Sequence, residues 1–150
     1  MRLLIQRVSK ARLNIDEKEY SAIQKGALVF VGIEDCDGQE DVDYLSAKLV
    51  NLRIFEDENE KMNLSVKDIQ GDLMLVSQFT LHASTRKGNR PSFLAAAKPE
   101  KAEELYKGFI SASETLLGKK VQTGVFGANM QIELVNSGPV TIFMDSRTKE

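Results

Sequence analysis

Residues 27–33 form an almost wholly apolar run: Ala27, Leu28, Val29, Phe30 and Val31, then Gly32 and Ile33, with no charge to place toward water. A run this short, bounded by Lys25-Gly26 and rich in Val and Ile, predicts a strand covered on both faces. Leu73, Met74, Leu75 and Val76 form a second such run and pass directly into polar Ser77 and Gln78. Two doubly buried strands require layers above and below them. With 150 residues, 42% of them hydrophobic, the chain has material for one such core, and residues 1–150 read as a single domain without repeats or linkers.

The remaining pattern supplies the layers. Strands are expected over 3–8 and 11–15, where Ala11, Leu13 and Ile15 alternate with Arg12 and Asn14, and over 20–23. Val42, Leu45, Leu49 and Leu52 fall at helical spacing, with Asp37 as the expected cap and Glu40 and Asp41 in the first turn. Residues 53–55 return as a strand before an acidic loop over 56–60. A second helix is expected over about 100–117, with Ala102, Leu105, Phe109, Ala112 and Leu116 on one face and a stop at Gly118. The end of the chain is β-rich: residues 121–123, an alternation of Met130, Ile132 and Leu134, and residues 140–144. The fold class is α+β, a layered α/β arrangement of mainly antiparallel sheets with two main helices packed on them.

Charge and cysteine usage narrow the chemistry. Twenty basic and 22 acidic residues leave a net charge of −2, so attraction to a polyanion has to be local. One cysteine, Cys36, closes no intrachain disulfide, and with the single histidine, His82, it cannot make a zinc site of the usual kind. The N-terminus turns polar too early for a signal peptide, and no apolar run suits a membrane span, so a cytoplasmic protein is expected. The stretch 35–41 resembles a calcium loop but carries Gln39 where a ligand is wanted and a misplaced glycine, so it reads as a solvated loop. Cys36, flanked by Asp35 and Asp37, is poorly placed for a thiolate nucleophile.

Three segments carry candidate chemistry. Ser77-Gln78-Phe79-Thr80-Leu81-His82 leaves the end of a buried strand with two hydroxyls, an amide and the only imidazole. Were the strand to continue, Thr80 and His82 would share a face, yet no carboxylate is evident to orient the imidazole, and an ordinary surface histidine satisfies the same sequence. The backbone amides there could instead stabilise an oxyanion. Arg86, Lys87 and Arg90 then place three cations within five residues, shaped by Gly88 and Pro91; this is either a phosphate-binding surface or a solvated charged loop. Asn136-Ser137-Gly138-Pro139-Val140 reads first as a turn between two strands; with a cis bond it would instead be a rigid pair of carbonyls suited to an ammonium group.

Taken together, Ser77-Gln78-Phe79-Thr80-Leu81 and Asn136-Ser137-Gly138-Pro139-Val140-Thr141 resemble the D-aminoacyl-tRNA deacylase family. The likeness extends to Gln6-Arg7-Val8, Arg53-Ile54-Phe55, Lys61-Met62-Asn63-Leu64, Arg90-Pro91-Ser92-Phe93 and the segment 123–130, in order along the whole chain. It implies a barrel-like fold and a homodimer with active sites at the subunit interface. Gly138 and Pro139, joined by a cis bond, would enter the partner's site and hold the substrate's α-amino group, braced by Arg7. Ser77, Gln78, Phe79 and Thr80 would hold the ester, with N–H groups near Gln78 and Phe79 facing the oxyanion, and Met130 would line the pocket.

The resemblance further implies hydrolysis of D-aminoacyl-tRNA without a cofactor, metal or side-chain nucleophile; glycyl-tRNA, with no side chain to clash, is expected to be hydrolysed as well. The terminal adenosine's 2′-hydroxyl would assist, and Arg86, Lys87 and Arg90 would meet the tRNA. L-aminoacyl-tRNA would be rejected by a steric clash, since enantiomers offer identical groups for attraction. Ser137 stands where the family commonly has Asp, which removes one side-chain contact beside an intact Gly138-Pro139. Two other readings are a dimeric nucleic-acid-binding module without chemistry and a related deacylase that edits L-alanyl-tRNA. Ser77 and Phe79 argue against the latter, whose motif begins with Pro and has Ala at the third place.

Overall fold

The computed structural model describes residues 1–149. In chain order the elements are β1 (Arg2–Ile15), β2 (Lys18–Ile23), β3 (Gly26–Gly32), α1 (Gln39–Asn51), β4 (Phe55–Glu56), β5 (Met62–Leu64), β6 (Asp72–Ser77), a 3-10 turn (Phe79–His82), α2 (Pro99–Leu117), β7 (Gln122–Thr123) and β8 (Gln131–Asp145).

The two apolar runs form the middle of the main sheet, whose strand order is β2-β1-β3-β6-β7 with β8 also paired to β1. β3 and β6 run parallel, Ala27 beside Leu73 and Val31 beside Ser77. A parallel pair needs a crossover, which α1 provides. α2 provides the next crossover, from β6 to parallel β7. The pairings of β1 with β2, β3 and β8, and of β4 with β5, are antiparallel. The sheet curls until its edges meet, and the Ser21 hydroxyl of β2 donates to the Thr123 carbonyl of β7 at 2.9 Å. The result is a nearly closed, barrel-like sheet.

Both helices cover one side of this sheet. Leu3, Ile5, Val29, Val31, Leu73 and Leu75 meet Val42, Leu45, Leu49, Tyr106 and Phe109 there. Phe109 is fully buried, and a side chain of that size contributes about 1.5–3 kcal/mol on burial. A second cluster, Val8, Ala11, Leu13, Ile23, Leu28, Met74 and Val76, fills the other side, flanked by half-buried Met130, Ile132 and Leu134.

Four local expectations are corrected. Residues 3–8 and 11–15 are one strand, because register shifts between Gln6 and Lys10 let exposed Ser9 and Lys10 bulge without ending β1. Residues 53–55 contribute only Phe55 to a strand. Asp37 does not cap α1: Gly38 is the cap, and its N–H donates to the Asp41 carboxylate at 2.8 Å. Asp37 is instead buried against the N-terminal ammonium at 2.5 Å. The buried face of α2 is Tyr106, Phe109, Ser113 and Leu117, one residue round from the expected stripe. The Tyr106 hydroxyl explains the rotation, since it donates to the Leu75 carbonyl at 2.7 Å inside the core; burial pushes that phenol up.

Candidate active site

β6 ends at Ser77, and the Gln78 N–H still belongs to the sheet, donating to the Val31 carbonyl at 2.8 Å. The chain then turns through the short 3-10 helix. Phe79 and Thr80 open that turn, where N–H groups have no partner within the helix. Neither N–H has an acceptor elsewhere among the described residues. The Gln78 N–H is therefore taken by the sheet, while those of Phe79 and Thr80 are left free to meet an acceptor from outside. Both are exposed.

The side chains add a hydroxyl with a fixed orientation. The Gln78 amide donates to Thr80 Oγ1 at 2.6 Å, which leaves the Thr80 proton free to be donated outward. Because the chain is in a 3-10 turn, Thr80 and His82 are not strand neighbours. His82 is buried beneath the turn rather than set on the surface, and neither ring nitrogen has a hydrogen-bond partner among the described residues. An imidazole–hydroxyl pair is thus absent. Beside the turn, the Phe79 and Phe93 rings meet edge to face at 5.0 Å.

The Gly138-Pro139 segment is not a turn between strands. It lies within β8, the bond is cis, and both residues are exposed. Asn136 spans the irregularity: its Oδ1 accepts the Val140 N–H at 2.9 Å, and its Nδ2 donates to Gln6 Oε1 at 2.7 Å. Sequence reasoning assigned no role to Gln6 or Asn136, though both stand in matched motifs. Arg7 is buried under the segment and donates to the carbonyls of Ser137 at 2.9 Å and Ile54 at 2.7 Å, with Glu56 at 3.4 Å as its carboxylate. The carbonyl of Ile54 explains why the segment 53–55 accompanies Arg7 in sequence.

Met130 packs its sulfur against Gly124, so closely that a Cβ on Gly124 would require the Met130 side chain to move. The hairpin closed by Ser84 and Ser92 carries Arg86, Lys87 and Arg90, all exposed, and none forms an ion pair among the described residues.

The register separates the two motifs. Arg7, under Gly138, is level with Ala27 and Leu73, whereas Ser77 is level with Val31 and Leu3. Four residues of strand, about 13 Å, lie between these levels. One chain does not bring Ser77, Gln78, Phe79 and Thr80 together with Gly138 and Pro139.

The family model for D-Tyr-tRNA(Tyr) deacylase matches residues 4–145. A D-aminoacyl-tRNA deacylase of Flavobacterium psychrophilum is 62% identical over 150 residues, all of both chains. A Bacteroides fragilis protein of the same name is 55% identical, again over all of both. Among solved structures, a c-Myc DNA unwinding element binding protein superposes with a TM-score of 0.91 at 38% identity, covering 97% of this chain and 98% of that one. A probable eukaryotic D-amino acid tRNA deacylase gives a TM-score of 0.82 at 19% identity, covering 95% and 97%, a likeness of fold. No helix among the described residues is long and apolar enough to cross a membrane. With both its sequence and its barrel matched almost end to end, this chain belongs to the D-Tyr-tRNA(Tyr) deacylase family.

Proposed function

We propose that the protein hydrolyses the ester of D-aminoacyl-tRNA, releasing the free D-amino acid and tRNA, in the cytoplasm and as a homodimer. The observation that carries this reading is the pair of unpartnered N–H groups of Phe79 and Thr80 at the open end of β6. Two adjacent backbone donors suit the oxyanion that forms when water adds to the ester carbonyl. Collapse of that intermediate breaks the bond to the ribose 3′-oxygen. The proton lost by water reaches that oxygen, with the neighbouring 2′-hydroxyl in position to relay it. No side-chain nucleophile is required, and Thr80 supplies a donor rather than an attacking group.

The distance between the two motifs supports assembly across a dimer. Gly138 and Pro139 of one copy would meet the Phe79–Thr80 end of the other, where their carbonyls would receive the substrate's ammonium group. Arg7 and Asn136 hold that segment from behind. A fixed wall there would exclude an L side chain and pass a D side chain, and glycine, having none, would pass as well. Met130 would line the pocket, and Arg86, Lys87 and Arg90 would meet phosphates near the tRNA 3′ end.

A second reading, nucleic-acid binding without chemistry, is favoured by the exposed cations and by the likeness to the DNA unwinding element binding protein. Side-by-side assays of D-tyrosyl-tRNA and L-tyrosyl-tRNA with the purified protein decide between them. Loss of the D-ester alone supports the deacylase; tRNA bound with both esters intact supports the second reading.

A further inference from the structure

We propose that His82 and Gly32 form the seat that sets the position of the Phe79 and Thr80 N–H donors, and that His82 acts through the bulk of its ring rather than through its nitrogens. The inference rests on the oxyanion reading of those two donors and adds what holds them in place.

The turn is fixed at three points around its exposed donors. Upstream, the Gln78 N–H is bonded to Val31 at 2.8 Å. Downstream, Arg2 Nη1 donates to the Leu81 carbonyl at 2.9 Å, and the same guanidinium is held by Asp145 at 2.9 Å. Beneath lies His82, 3% exposed, with Nδ1 and Nε2 both without partners among the described residues. Between Gln78 and Leu81, Phe79 and Thr80 have no bond of their own to the body of the protein through their N–H groups. Their position is inherited from what the turn rests on.

It rests on Gly32, the last residue of β3. A Cβ there would stand 2.8 Å from Leu81 Cβ, 3.1 Å from the Gln78 carbonyl oxygen and 3.1 Å from His82 Cδ2. The backbone φ of Gly32 is not in the left-handed region, so the glycine serves closeness rather than conformation. The turn is pressed onto the strand, and the His82 ring fills the space that remains. A ring whose nitrogens are buried and unbonded gains nothing from being polar, and an apolar group of similar size is tolerated or favoured in its place. Removing the bulk, by contrast, leaves a cavity into which the turn can settle, and small displacements of donors from an oxyanion are costly in rate.

Thermal melts and steady-state hydrolysis of D-tyrosyl-tRNA by His82→Ala, His82→Leu and His82→Phe test this, with every variant assayed well below its melting temperature. His82→Ala is expected to lower kcat about tenfold or more with KM changed less than about twofold. At least one of the two apolar variants should recover kcat to within about threefold and melt no lower than the wild type. Gly32→Ala should lower kcat in the same manner while His82 is intact. If both apolar variants are as slow as His82→Ala, the nitrogens matter and the proposal is overturned. It is equally overturned if His82→Ala melts lower but keeps its kcat, because the ring is then merely structural. Should His82→Ala not fold, His82→Val makes a smaller cavity and is judged by the same outcomes. A wild type that leaves D-tyrosyl-tRNA intact refutes the deacylase reading itself, a result visible in the control alone.

Discussion

Arg7 and Gly138 are in contact across the β1–β8 ladder so closely that a Cβ on Gly138 would stand 2.5 Å from Arg7 Nη2. Gly138 also has φ +125°, in the region that L side chains rarely adopt. Gly138→Ala therefore meets both a steric and a backbone penalty, the latter of about 1–3 kcal/mol. The variant is expected to melt several degrees lower and to lose most D-tyrosyl-tRNA hydrolysis. Calorimetry alongside the hydrolysis assay checks this; full activity at wild-type stability would separate the segment from the reaction.

Arg7→Lys keeps the charge and should still fail. The planar guanidinium serves Ser137, Ile54 and Glu56 from separate nitrogens, which an ammonium on a flexible stem cannot reproduce. Each buried carbonyl left unpaired costs about 1–3 kcal/mol. Urea denaturation should show a lower midpoint with an unchanged slope, and an unaltered midpoint would mean that water or the lysine ammonium itself satisfies those carbonyls.

Acid should destabilise the protein through the corner where the chain ends meet. Burial pushes the Asp41 carboxyl up, yet hydrogen bonds from Ser146 and the Gly38 N–H, with the N-terminal ammonium and Arg147 nearby, hold it below the ordinary carboxylate range. Asp145 is likewise pushed up by burial and brought below that range by the Arg147 N–H and Arg2. In both, the folded state binds protons less readily than the unfolded one. Their contribution is thus complete above about pH 5 and is lost as pH falls through the folded values. Melting temperatures from about pH 7 to pH 3 should be level and then decline, less steeply in Ser146→Ala; a flat profile would show that these carboxylates carry no stability.

These corners also show what a sequence discloses. The apolar runs that became β3 and β6 were legible because burial on both faces leaves no other composition, and Gly118 marked the end of α2 through its left-handed φ of 79°. The long strands β1 and β8 were not, because Ser9, Lys10 and the Asn136–Pro139 irregularity interrupt the alternation while the ladder resumes beyond them. The burial of His82 depends on a glycine fifty positions earlier, and the Gln78 N–H on Val31; both are contacts that only the paired strands create. Asp37 had the look of a cap, but its partner is the ammonium group at the far end of the first strand.

Glycyl-tRNA tests steric exclusion separately from chemistry. If L-substrates are refused because a side chain strikes a wall, a substrate without one should be cleaved measurably at high enzyme concentration. Hydrolysis of D-tyrosyl-tRNA with glycyl-tRNA wholly inert would require an attractive contact to the D side chain instead.

Two inactive variants should restore one another. Phe79→Pro, which removes one of the two N–H donors and leaves Gly138 intact, and Gly138→Ala, which leaves both donors intact, each spoil both sites of a symmetric dimer in which every site draws one motif from each copy. After mixing, partial unfolding and refolding, half of the dimers would be mixed, and each of these would contain one site with both motifs native. The refolded mixture should thus reach about a quarter of wild-type activity, well above either parent treated alone. This outcome does not arise if Ser77, Gln78, Phe79 and Thr80 work with the Gly138 and Pro139 of their own chain. In that case each subunit carries its own defect into every dimer, and mixing leaves the activity at the mean of the two parents. The 13 Å of strand between the motifs argues for the first result, and the refolding assay measures it without any assumption about the substrate's pose.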